Sequence, residues 1–230
     1  MKYYGIIVGG GSGSRMQSEI PKQFMLLNGK PVLMHTIEAF YHSDLKPEII
    51  LVLNIDFHTF WEDLCLKHNF TIPHKLVKGG LQRFHSVKNG INCVKEKAII
   101  AIHDAVRPLA SNDLITRSFL AAEELGNAVA AIKSKDSVRQ QNDNRSQSLN
   151  RDEIYLVQTP QTFKSEILNK AYNQDFRNEF TDDASVVERI GISINIIEGE
   201  SKNIKITFPE DIQLAEFYLN QKKIIVPVRI

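Results

Sequence analysis

The chain has 230 residues, 43% hydrophobic and 24% charged, the make-up of a soluble globular protein with a sizeable core. Its 28 lysines and arginines against 27 acids leave a net charge of +1, which argues against a nucleic-acid protein working through a broad basic face. The two cysteines, Cys65 and Cys93, stand outside any CxxC or Cys/His cluster, so neither a zinc site nor a disulfide is expected.

The run YYGIIV at 3–8 predicts a buried strand. It is too short for a signal-peptide core, and no run approaches a membrane span, so the expectation is a cytoplasmic protein. GGGSGSRMQSEIPKQF (9–24) follows at once. Glycines leave backbone N–H groups uncovered where a helix can begin, which is how a protein cradles phosphate oxygens. The stretch lacks the GxxxxGK[ST] of a P-loop and the third glycine of a dinucleotide fingerprint. Arg15 and Lys22 add two cationic donors to the same loop, with Pro21 stiffening the approach, and the combination predicts phosphate binding.

Further on, EIILVL (48–53), HKLV (74–77), AIIAIH (98–103) and AVAAI (128–132) read as buried strands. PVLMHTIEAFYH, DFHTFWEDLCLKH, RFHSVKNGINCV and NDLITRSFLAAEEL carry apolar residues at helical spacing. Strand–helix alternation predicts an α/β fold with a parallel sheet covered on both faces, and ligands beyond the carboxyl ends of its strands. Three unusual polar segments follow predicted strands: 9–24, 78–86 and 103–108. In KGGLQRFHSV (78–87) a Gly-Gly turn precedes Arg83 and Ser86, and the serine suits either a helix cap or a ligand contact. In AIIAIHDAVRP, Asp104 and Arg107 stand just past a strand end. The carboxylate suits Mg²⁺ and the guanidinium a phosphate, although a plain Asp–Arg surface pair fits the same residues; His103 is given no catalytic role.

The polar stretch 133–151 fits either a disordered surface loop or a projecting hairpin with DSVRQ and SQSL as arms and QNDN as turn. QTPQTF (158–163) reads as a polar turn leading into a helix, with Pro160 near its start. TDDASVVE (181–188) reads as an N-cap with acids in the opening turn. NIKITFPEDIQLAEFYL (203–219) reads as a short strand, a turn and a final amphipathic helix, with Lys205 facing away from Ile204 and Ile206, to solvent or into a site. No repeat or linker divides the chain, so residues 1–230 are expected to form a single domain.

Taken in order, GGGSGSRM…PKQ, GG..R..SV..G, HDAVRP, QTPQ.F, TDDAS and NIKIT.PED resemble the 2-C-methyl-D-erythritol 4-phosphate cytidylyltransferases, from about residue 4 to about residue 219. The resemblance implies a modified Rossmann-like nucleotidyltransferase sheet, mostly parallel, with helices on both faces and a projecting β-arm at about 133–151 that clasps a second subunit in a homodimer. It implies transfer of a cytidylyl group from CTP, with Mg²⁺, to 2-C-methyl-D-erythritol 4-phosphate, giving 4-diphosphocytidyl-2-C-methyl-D-erythritol and pyrophosphate. Nucleic acid and membrane have no part in that activity.

Carried over by position, Gly9, Gly10 and Gly11 would wrap the CTP phosphates, with Arg15, Lys22 and Lys205 as the catalytic cations. Gly80 and Ser86 fall where such enzymes read cytosine and ribose, and Asp104 matches the metal-associated aspartate. Arg107, Ser137, Thr159 and Thr181 match positions around the acceptor, as does Arg151, the arm arginine that reaches the neighbouring subunit's substrate. Val8-Gly9-Gly10-Gly11 departs from the usual PAAG, Ser137 from threonine, and Leu81 from an acid near the nucleotide. HDAVRP and NRDEIYLVQTPQ are also similar to the sister ribitol-5-phosphate cytidylyltransferases, so ribitol 5-phosphate or a related polyol phosphate is the alternative acceptor.

Overall fold

The computed structural model describes residues 1–9, 20–143 and 145–221. Gly10, Gly11 and Arg15 lie outside the described residues. Within the sheet β1 (Lys2–Gly9) lies between β4 (Glu48–Leu53) and β6 (Ala98–Asp104), the middle strand. Beyond them stand β5 (Lys75–Lys78) on one side, and β10 (Tyr155–Lys164), β7 (Asn127–Lys133) and β11 (Ile196–Glu198) on the other. All adjacent strands run parallel except β10, which is antiparallel to both β6 and β7. The mostly parallel α/β sheet expected from the sequence is therefore observed.

Strand residues alternate between two cores, as the period of two dictates. Ile6, Val8, Ile50 and Val52 pack with α3 (Arg83–Ile91), α5 (Ser165–Ala171) and α6 (Asp183–Glu188). Ile7, Ile49, Leu51 and Leu53 pack with α1 (Val32–Tyr41), α2 (His58–Lys67) and α4 (Asn112–Leu125) on the other face. Local chemistry fixes the helix ends. The Leu114 N–H donates to Ser111 Oγ at 3.0 Å to cap α4, and Gly126, at φ 94°, ends it. No helix among the described residues is long and apolar enough to cross a membrane.

A third, smaller core joins Leu27, Val32, Val106, Ile206 and Ala215 beneath α7 (Glu210–Gln221). Leu27 belongs to the short hairpin of β2 (Leu26–Leu27) and β3 (Lys30–Pro31). This small core presses the 203–206 segment against the end of β6, with a bond from the Ile206 N–H to the Val106 carbonyl at 2.9 Å. The strand expected from NIKIT does not form. Buried Ile206 and a single backbone bond to the β6 side hold the segment without a ladder, its other backbone bonds being local ones from the Asn203 and Ile204 N–H groups.

QTPQTF is also not a turn into a helix. It lies inside β10, and α5 begins only at Ser165. Gln158, Thr159, Gln161 and Thr162 are buried, and each side chain is hydrogen-bonded within the chain. Pro160 falls where the register shifts between Val157 and Gln161, a place that asks no ladder N–H of it. The polar stretch after β7 forms the hairpin reading of 133–151: β8 (Val138–Asn142) pairs antiparallel with β9 (Arg145–Leu149).

Candidate active site

Parallel register places Val8 of β1 opposite Asp104 of β6, and Gly9 opposite Leu53 of β4. The carboxyl ends of three central strands therefore open on one edge, where crossing loops can converge. Asp104, the last residue of β6, is 8% exposed and meets three cations there. Lys205 Nζ lies 2.9 Å and Arg107 Nε 3.4 Å from its Oδ2, while Arg83 Nε lies 3.8 Å from its Oδ1.

Burial alone would push the Asp104 carboxyl up, but Arg83, Lys205 and Arg107 outweigh it and hold the group well below the usual carboxylate range. The magnitudes agree. Desolvating a carboxylate costs several kcal/mol, and each cation near 4 Å returns about 4 kcal/mol at an intermediate dielectric. Asp104 is ionised, and the cluster carries excess positive charge for an anionic ligand.

A buried polar chain fixes the aspartate from below. The Asp104 N–H donates to Thr159 Oγ1 at 3.1 Å, and that hydroxyl lies 3.1 Å from His103 Nδ1. His103 Nε2 lies 3.0 Å from the Arg107 carbonyl, which can only accept, so Nε2 carries the proton and Nδ1 accepts from Thr159. Burial lowers the His103 pKa to about 4, keeping the ring neutral. Arg107 Nη1 donates to the Asn203 carbonyl at 2.8 Å, and Asn203 Nδ2 donates to the Thr159 carbonyl at 2.8 Å. One ring of bonds thus ties β6, β10 and the segment that carries Lys205.

The end of β1 and the Gly79–Gly80 turn flank this cluster. Gln23, 2% exposed, donates through Nε2 to the Gly9 carbonyl at 3.0 Å, seating the 3₁₀ turn Lys22–Phe24 against the end of β1. Phe24 anchors the same turn among Phe57, Phe60 and Trp61. On the other side the Gly79 N–H donates to the Leu53 carbonyl at 2.6 Å, and the Gly80 N–H donates to Ser86 Oγ at 3.0 Å. A β-carbon on Gly80 would meet the His85 β-carbon at 2.3 Å, so no side chain fits there. Ser86, 1% exposed, also donates to the Gln82 carbonyl at 3.2 Å. Its hydroxyl fastens the turn but does not cap α3, whose N-cap is Gln82 without a side-chain cap bond, because Ser86 already lies one turn inside the helix.

Of the residues singled out in the sequence, Lys205, Asp104, Arg107 and Thr159 come together in one cluster. Gly9 ends the neighbouring strand, and Gly80 and Ser86 form the turn before α3. Ser137 and Arg151 are exposed at the two ends of the β8–β9 hairpin, and Thr181 is exposed ahead of α6. Sequence reasoning missed how far α3 and α6 enter the site. Arg83 opens α3, touches Asp104, and forks onto Asp183 of α6 at 2.8 and 2.6 Å. The signal was there, an arginine in GG..R and a second aspartate in TDDAS, but nothing in the spacing pairs them.

A mostly parallel α/β sheet whose strand ends present a glycine turn and fixed cations around one carboxylate is a nucleotidyltransferase site. The chain belongs to the IspD, 2-C-methyl-D-erythritol 4-phosphate cytidylyltransferase, family, whose model matches residues 4–221. It is 49% identical over 214 residues to the 2-C-methyl-D-erythritol 4-phosphate cytidylyltransferase of Azobacteroides pseudotrichonymphae, covering 93% of this chain and 96% of that one. It is 46% identical to the enzyme of the same name from Bacteroides fragilis, covering 93% and 98%. Among solved structures, 4-diphosphocytidyl-2C-methyl-D-erythritol synthase from Anaerococcus prevotii superposes with a TM-score of 0.81 at 30% identity, covering 95% of this chain and 96% of that one.

The polar chain beneath Asp104 makes a direct prediction. Imidazole ¹⁵N spectra should show His103 as the neutral Nε2–H tautomer from pH 8 down to about pH 5. An imidazolium at pH 6 would contradict this arrangement.

Proposed function

We propose that this chain, acting as a single-domain cytoplasmic enzyme, transfers the cytidylyl group of CTP to 2-C-methyl-D-erythritol 4-phosphate. The products are 4-diphosphocytidyl-2-C-methyl-D-erythritol and pyrophosphate. The observation that carries the reading is the ionised Asp104 with Lys205, Arg107 and Arg83 around it at the strand ends, in a chain of this family. The names of the relatives favour methylerythritol phosphate over ribitol phosphate as acceptor.

In this reading an acceptor phosphate oxygen attacks the α-phosphorus of CTP in line. The new O–P bond forms as the bond to the bridging oxygen of the β-phosphate breaks, and pyrophosphate carries that electron pair away. The acceptor phosphate is already ionised, so no strong base is required. Catalysis comes from positioning and from charge compensation. Gly9, Gly10 and Gly11 line the triphosphate, Arg15 and Lys22 compensate the α- and leaving phosphates, and Lys205 closes from the other side. Gly80 and Ser86 shape the turn that receives the base and ribose. Arg107, Thr159 and Thr181 border the acceptor.

The donor chemistry of the site also fits Mg²⁺. Asp104 offers a hard, ionised carboxylate whose Oδ1 carries a long contact to Arg83, and the described residues hold no cluster of three or more potential ligands. A magnesium ion bound through one carboxylate would complete its shell from substrate phosphates and water, and would supply charge neutralisation.

Ser137, just before the exposed hairpin, is assigned to the acceptor, and Arg151, just after it, to the partner subunit's acceptor in a homodimer. That makes each site dependent on both chains.

Pyrophosphate release with CTP, Mg²⁺ and each acceptor tests the reaction. Methylerythritol 4-phosphate should be turned over in preference to ribitol 5-phosphate, and the reverse preference would overturn the acceptor. In the same assay Lys22→Ala should lower kcat by about 10²- to 10³-fold with the fold intact. Near wild-type turnover would remove Lys22 from the mechanism. Arg151→Ala should mainly raise the acceptor KM, and mixed dimers of Arg151→Ala with Lys22→Ala should regain activity. Verified heterodimers without any gain would confine Arg151 to its own chain.

A further inference from the structure

Asp183 is fully buried, yet no function assigned so far uses it. It is not helix punctuation. The capping box of α6 is made by Asp182, whose Oδ1 accepts from the Ser185 N–H at 2.9 Å while Ser185 Oγ answers the Asp182 N–H. Asp183 instead accepts both Nη groups of Arg83, at 2.8 and 2.6 Å, and the Tyr172 hydroxyl at 2.5 Å. Tyr172 is 2% exposed and stacked on Phe84, so the carboxylate sits in a rigid wall. An arginine held by both Nη groups has one edge left. Here that edge carries Nε, and it faces Asp104 Oδ1 at 3.8 Å.

We infer that Asp183 is a positioning residue for cytidylyl transfer, acting through Arg83 on the Asp104 carboxylate. The inference rests on the reaction proposed above. A planar five-donor fork is directional, so anchoring its far end sets the angle of its near end. Arg83 thus sets a cation beside one oxygen of Asp104 from the side of the Gly79–Gly80 turn, while Lys205 and Arg107 hold the other. Released from Asp183, the guanidinium would have the reach and charge to turn its Nη groups onto Asp104 or onto a bound phosphate. The nucleotide would still bind, in an arrangement less suited to reaction.

The test compares Asp183→Asn, Arg83→Gln and the double variant by kcat for pyrophosphate release, by calorimetric stoichiometry and Kd for CTP, and by Tm. In Asp183→Asn, kcat should fall about 10- to 100-fold while CTP still binds one per chain with Kd changed less than about threefold. The double variant should be no slower than Arg83→Gln alone, because Asp183 acts only through the arginine. A kcat within about threefold of wild type would overturn the inference. So would CTP stoichiometry that falls in proportion to activity, which marks a merely structural role, or a double variant slowed by the product of the two single effects. Should Asp183→Asn not fold, Arg83→Lys decides by the same two readouts, since it keeps a cation against the buried carboxylate but lacks the fork that reaches both Asp183 and Asp104. Wild-type protein that releases no pyrophosphate with any acceptor would instead count against the proposed reaction.

Discussion

Asp104 sits where three strand ends, the Gly79–Gly80 turn and the segment before α7 meet, and its single negative charge faces Lys205, Arg107 and Arg83. Lys205 and Arg107 meet at its Oδ2, and Arg83, anchored on Asp183, faces its Oδ1. The carboxylate could not stay ionised at 8% exposure without them. That dependence selects one arrangement. It also leaves surplus positive charge at the mouth of the site, which a triphosphate and a sugar phosphate can neutralise.

The rest of the fold serves that arrangement. Parallel pairing aligns Val8 with Asp104, so the end of β1 opens beside the carboxylate. The antiparallel β10 brings Thr159 under the Asp104 N–H and Gln161 to α6, where its Oε1 accepts from the Ala184 N–H at 2.9 Å. The small core of Val106, Ile206 and Ala215 seats Lys205 from the opposite side. Full burial of Ile206 is worth on the order of 2 kcal/mol, enough to hold a segment that has little backbone pairing of its own. Catalytic power in such a site comes from charges already in place before the substrates arrive.

Much of this was legible in the sequence because it rests on local rules. The strand at 48–53 and the helix at 112–125 match the apolar runs residue for residue, and the polar stretch after β7 forms the hairpin that was one of its two readings, with its first arm two residues later than DSVRQ so that Gln141 and Asn142 of the expected turn pair within it. QTPQTF misled because polar residues were read as surface. Gln158, Thr159 and Gln161 are buried pins whose partners lie on β6, α6 and the 200–203 segment, far away in the chain. NIKIT alternates like a strand, but no sheet edge accepts it. Asp104, Arg107 and Lys205 could be picked out by residue type after a strand and by family resemblance. Arg83 and Asp183 could not be paired, since 100 residues separate them and only the core that α3 and α6 share with α5 brings them together.

The account stands on Asp104 as the charge that organises its neighbours, so the most direct measurement is turnover of Asp104→Asn at saturating CTP and acceptor. The amide keeps the shape and removes the charge, leaving Arg83, Arg107 and Lys205 without their common partner. The predicted result is a folded protein whose kcat for pyrophosphate release is lower by about 10²-fold or more. Turnover close to wild type would contradict it, because the three cations would then hold their catalytic positions without the carboxylate.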